Sequence, residues 1–189
     1  MKKILLFIMP LLLFFFWAAC KKEPNPPLEE EDIRKSIFKG SALKNGSPWS
    51  LVCDIWRGKG PEFFNKFSLA LLNCNAAGYK RAAFYFDFVP MKVGIYYPMK
   101  EEYNSIVKDT LLTAFFATAL SDGDVMGDVY IPIRDSSIVL TIDRLDPTGE
   151  VWGTFEGTLI KDVREMEYDI GSPDTLKIEQ GKYHAKIKL

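Results

Sequence analysis

Val151-Trp152-Gly153-Thr154-Phe155-Glu156-Gly157-Thr158-Leu159-Ile160 alternates two kinds of residue with a period of two. Gly153, Phe155, Gly157 and Leu159 fall on one face, and Trp152, Thr154, Glu156 and Thr158 on the other. That is the period of a strand with one packed and one wet face. Glycine on the packed face marks a bend or a close approach of another backbone, so the sheet that holds this strand is expected to curl.

The same period runs outward in both directions. Trp49, Leu51, Cys53 and Ile55 alternate with Ser50, Val52 and Asp54, and Phe67, Leu69 and Leu71 with Ser68 and Ala70. Ala82, Phe84, Phe86 and Phe88 share a face opposite Arg81, Tyr85 and Asp87. Ile138, Leu140 and Ile142 oppose Thr141 and Asp143, and Tyr183, Ala185, Ile187 and Leu189 oppose His184, Lys186 and Lys188. Thr110 to Leu120 fits a helix or a strand; its phenylalanines and threonines favour a strand. Asn75 to Gly78 and Asp146 to Gly149 place Asn or Asp first and Gly last, as a type I turn prefers. Ser121 to Asp124 and Glu179 to Lys182 read as two further turns between strands. Only Asp32 to Lys39 and Glu101 to Lys108 are suited to a helical turn or two. Strands and turns without long helices imply one all-β domain, an antiparallel β-barrel or β-sandwich, over residues 42–189.

Upstream the grammar changes. Met1-Lys2-Lys3 is followed by an apolar run from Ile4 to Trp17, and Ala18-Ala19-Cys20 ends it. A transmembrane helix needs about 20 apolar residues, and this run is shorter and carries Pro10. The order is that of a secretory signal over residues 1–19. A cysteine at the cut resembles a lipoprotein signal, which implies lipid on Cys20 and a protein held in the cell envelope at the outer membrane. Two or three acyl chains would make the anchor effectively permanent. Residues 20–41 read as a linker, since Pro24, Pro26, Pro27 and the acidic run Glu29 to Asp32 keep a segment extended and solvated. Without Lys2 and Lys3 the chain has 22 basic residues in place of 24, against 25 acidic, a net charge of −3. That balance argues against nucleic acid as a partner.

Asn45-Gly46-Ser47-Pro48-Trp49, Val93-Gly94-Ile95-Tyr96, Thr148 to Phe155 and Ile178 to Tyr183 together resemble a family of small Bacteroidetes-type envelope lipoproteins. The resemblance covers Ala42 to Leu189. It implies an all-β domain behind a lipid anchor, and it carries no activity and no functional residue.

The remaining cysteines, Cys53 and Cys74, would share an oxidising compartment, which invites a disulfide. A hairpin centred near Pro61 sets Cys53 opposite a residue near Leu69. Five residues of slip is roughly 17 Å at about 3.3 Å per residue, and a bridge needs Cα atoms within about 7 Å. Two buried thiols without a bridge are expected. Asp122, Asp124 and Asp128 offer hard oxygen ligands at alternating positions for a calcium ion, although acidic glycine-rich loops also serve simply as turns. His184, the only histidine, lies on a polar face, and no Gly-x-Ser-x-Gly elbow accompanies it. It reads as a solvated surface residue. Trp152 sits on the wet face beside Thr154 and Glu156, where an indole can stack on a sugar or flat ligand while its neighbours bond hydroxyls. The opposing expectation is that the C-terminal strands or the linker cover that face. No cofactor is called for. The expected function is that of a non-catalytic envelope lipoprotein that binds a small molecule, a glycan or another envelope protein. The competing expectation is a carboxylate-dependent hydrolase.

Overall fold

The computed structural model describes residues 38–58, 60–99, 111–120, 125–164 and 171–188. The signal segment, Cys20, most of the linker, the Glu101 to Lys108 stretch and Ser121 to Asp124 lie outside these residues. Among the described residues the chain forms β1 (Lys39–Lys44), β2 (Ser47–Trp56), β3 (Lys66–Cys74), β4 (Lys80–Pro90), β5 (Gly94–Tyr96), β6 (Thr113–Ala119), β7 (Met126–Pro132), β8 (Ile138–Leu145), β9 (Glu150–Lys161) and β10 (Thr175–Lys188), with one 3₁₀ turn at Pro61–Phe63.

Hydrogen-bonded neighbours run β1–β2–β3–β4–β6–β7–β9–β10 and return to β1, which closes an eight-stranded antiparallel barrel. The all-β reading therefore holds, and barrel replaces sandwich. β7 and β8 lie in succession along one edge of β9, at Tyr130 to Pro132 and then Ile138 to Leu145, while β10 takes the other edge. β5 adds to the outer edge of β8. Closure is made by β1, wedged between β2 and β10. Past its start the two neighbours meet directly, in a short parallel contact at Ile187 and Ile55.

Eight strands leave an interior just wide enough for side chains to fill. Here the filling is aromatic. Phe84 and Phe86 have ring centroids 4.5 Å apart, Phe155 lies 5.9 Å from Phe84, and Phe116 lies 5.7 Å from Tyr130. The apolar sets of β2, β3 and β8 named above face this core, as do Tyr183, Ala185 and Ile187 of β10, with Ile138, Leu140 and Ile142 fully buried; Leu189 lies outside the described residues. Gly153 has its purpose here: a Cβ would collide with the Thr141 carbonyl and the Tyr183 ring, whose hydroxyl donates to that carbonyl at 3.1 Å. Gly157, with φ 152°, brings β9 against the backbone of Ser137 and Ile138.

Several local expectations are corrected. Phe88 does not share the face of Phe86: its φ of 59° makes a bulge opposite Ser68, so Val89 takes the core position and Phe88 stacks on Phe63 at 5.0 Å. Glu179 to Lys182 is no turn but a bulge within β10, where Gln180 has φ 54° and pairing resumes at Gly181. The domain begins at β1, ahead of residue 42, and Asn45-Gly46 is a two-residue hairpin turn with both φ positive. Thr113–Ala119 is a strand, as its composition favoured. Both Asx turns form: Asn75 Oδ1 accepts from the Ala77 and Tyr79 amides, and Asp146 Oδ1 from Thr148 and Glu150.

Cys53 and Cys74 form no disulfide. Cys53 is opposite Leu71, two residues beyond Leu69, because the β2–β3 pairing is centred one residue past Pro61. The two thiols also occupy opposite faces, Cys53 in the barrel core and Cys74 against Ala70, Leu72 and Ala83 outside it. Burial pushes the Cys53 thiol up to about 12.

Candidate functional site

Two places gather polar chemistry: the outer wall at Trp152, and the barrel end where the β1–β2 turn lies. On the wall, Trp152 is directly opposite His184 of β10 on one side and Arg144 of β8 on the other. The His184 ring lies parallel to the indole at 4.5 Å with planes 9° apart, and the Arg144 guanidinium carbon sits 4.3 Å from its centroid. Since β8 and β10 pair with opposite edges of β9, these neighbours take opposite faces of the ring. Phe38 continues the row, edge-on to His184 at 5.2 Å. Trp152 is half-buried, and its stacking faces belong to its own chain. Thr154 and Glu156, its expected partners, are exposed along the same strand.

His184 is not simply solvated. Its Nε2 lies 2.9 Å from Glu150 Oε2, and Phe38 and Trp152 bracket the ring. The imidazole therefore bonds a carboxylate and packs between aromatics, and among the described residues its ring makes no hydrogen bond to a hydroxyl or thiol.

At the barrel end, a bulge between Met126 and Val129 buries Asp128, which is 1% exposed. Its Oδ2 lies 3.5 Å from Lys161 Nζ, and Lys161 also donates to the Ser172 carbonyl at 3.3 Å. Of the proposed calcium ligands, Asp122 and Asp124 lie outside the described residues, and Asp128 faces a lysine. Among the described residues no three acidic, histidine or cysteine side chains gather closely enough to hold a metal ion.

Lys44 is the group that sequence reading missed. It shares the inward face of Ala42, and its ammonium lies 5.9 Å from the Trp49 ring centroid and 5.6 Å from that of Phe116. No carboxylate pairs with it among the described residues, and burial lowers its pKa. Trp49 is 5% exposed, and its indole N–H has no acceptor. The signal was present: Asn-Gly after Lys44 is the strongest short hairpin signal, and a hairpin there makes Lys44 a strand residue with the parity of Ala42.

No family model, curated protein or solved structure matches this chain.

Proposed function

We propose that this protein is a non-catalytic envelope lipoprotein, lipidated on Cys20 at the outer membrane, whose barrel is a binding module for a small molecule, a glycan or another envelope protein. The lipoprotein part rests on the Ala18-Ala19-Cys20 junction after a short apolar run. The non-catalytic part is supported by the situation of His184. A histidine that serves as general base needs a hydrogen bond to the group it activates. This one is bonded to Glu150 and stacked on Trp152.

Labelling of expressing cells with a palmitate analogue tests the anchor: the wild-type chain takes label and Cys20→Ala does not, whereas label retained in Cys20→Ala would overturn it. The purified protein is then given chromogenic esters, phosphate esters and glycosides. No turnover is expected. Turnover lost in Glu150→Gln would establish the carboxylate-dependent hydrolase instead.

A further inference from the structure

Two donors at one end of the barrel lack what their chemistry requires. Trp49 carries a buried N–H with no acceptor, and Lys44 carries an ammonium with no carboxylate among the described residues. Burying a donor unsatisfied costs roughly 1–3 kcal/mol, more for a charged group, and most such groups in native proteins have a partner. The two belong to one place: Lys44 and Trp49 are on paired strands, both inward, with the ammonium over the indole and the Phe116 ring beyond it. Two further half-buried cations at this end have acceptors: Lys161 has Asp128 at 3.5 Å, and Arg81 donates to the Leu120 carbonyl at 3.1 Å.

We propose that Lys44 and Trp49 form a binding site for a small organic monocarboxylate, whose oxygens accept from the Lys44 ammonium and the Trp49 indole N–H. The charge count selects a monoanion: one cation lacks a counter-charge, so a dianion would leave a buried negative charge uncompensated. The surroundings select the rest of the molecule. Trp49 and Phe116 pack on each other with ring centroids 5.7 Å apart and make the wall beside the ammonium apolar, which suits an apolar or aromatic body attached to the carboxylate. Lys44 is half-buried and stands next to the exposed Asn45-Gly46 turn, so the ammonium reaches inward from the rim. The inference rests on the binding-module reading and gives it a ligand class.

The test uses the mature full-length protein in detergent micelles, labelled with ¹⁵N at tryptophan, and sodium benzoate as the probe. Benzoate is expected to move the Trp49 indole N–H resonance downfield saturably, with the resonance assigned by its loss in Trp49→Phe. Benzamide, isosteric but neutral, and sodium chloride at equal concentration are expected to leave it in place. Lys44→Met keeps most of the stem and removes the charge. It is expected to weaken benzoate at least about tenfold while the far-ultraviolet spectrum and melting curve remain those of a folded barrel. If Trp49→Phe fails to fold, the resonance is assigned by elimination with Trp56→Phe and Trp152→Phe. An unmoved resonance, an equal response to benzamide, or unchanged affinity in Lys44→Met would each overturn the site. A neutral ligand or glycan that raises the melting temperature while benzoate does nothing would overturn this inference and leave the binding-module reading standing. Turnover in the substrate panel would remove that reading instead.

Discussion

Gly153 and Asp87 mark the two ways a single residue departs from what its strand asks of it. Gly153 is a packed position without a side chain, because the Thr141 carbonyl oxygen and the Tyr183 ring lie where a Cβ would be. Gly153→Ala must shift the β8 backbone at Thr141 and push the Tyr183 ring aside. Overpacking of this kind costs about 1–3 kcal/mol, and the Tyr183 hydrogen bond is lost besides. Urea unfolding should register the loss, and the double variant Gly153→Ala/Tyr183→Phe should cost less than the sum of its parts. Asp87 is a carboxyl at the Phe88 bulge, where burial raises its pKa against the opposing hydrogen bond from Ser68. The folded protein then holds the Asp87 proton to a higher pH than the unfolded chain does. The stabilising contribution of that proton is complete below the ordinary value of 3.8 and is lost as pH rises through the raised one. Asp87→Asn is therefore expected to melt above the wild type at pH 7, the gap closing as the pH falls below about 4. A gap of the same size at low pH would assign the effect to packing.

At the scale of elements, the outer wall is held by a row that crosses strands. Phe38, His184, Trp152 and Arg144 come from four neighbouring segments and stack one against the next. Trp152→Ala removes an aromatic pair worth about 0.5–1.5 kcal/mol and a cation–π contact worth about 0.5–1 kcal/mol at an exposed site. A stability loss of about 1–3 kcal/mol is expected in urea, below the 3–5 kcal/mol typical of a fully buried Trp. Arg144→Ala and His184→Ala should each give part of that loss, and binding of benzoate should be unaffected by all three. Parity along β9 was enough to put Trp152 on the outer face. It was not enough to supply the ring's neighbours, because those depend on the registers of β8 and β10, which are set by bulges at Ile142/Arg144 and Ile178/Gly181.

For the whole molecule, β1 is the closing element. It joins β2 on one side and β10 on the other, so its removal leaves these two strands joined only by the short contact at Ile55 and Ile187 and exposes the rest of both edges. A chain beginning at Phe38 is expected to fold to a soluble barrel. One beginning at Asn45 is expected to aggregate or to melt far lower, as light scattering and circular dichroism would report. Equal stability of the two would mean that β2 and β10 can pair along their whole length without β1.

The chain by itself determined the fold class and most of the core, because a period of two with one apolar face is local information: each strand states which side is buried. Trp49 to Ile55 and Ile138 to Ile142 point as their alternation says, whereas at Phe67 to Leu71 the inward set is right but the face read as wet is covered too, with Ser68 and Ala70 buried. The alternation failed where the backbone leaves the pleat. Phe88 and Gln180 are both non-glycine residues at positive φ; Phe88 has no turn motif around it, and the motif around Gln180 reads as a turn between strands where the pairing with β9 makes it a bulge. β1 went unread because Lys39-Gly40-Ser41 has no apolar face of its own and is a strand only by filling the gap between β2 and β10. The site at Lys44 belongs to the same class. Its ammonium meets Phe116, 72 positions away in the sequence, and closure of the barrel alone brings the two together.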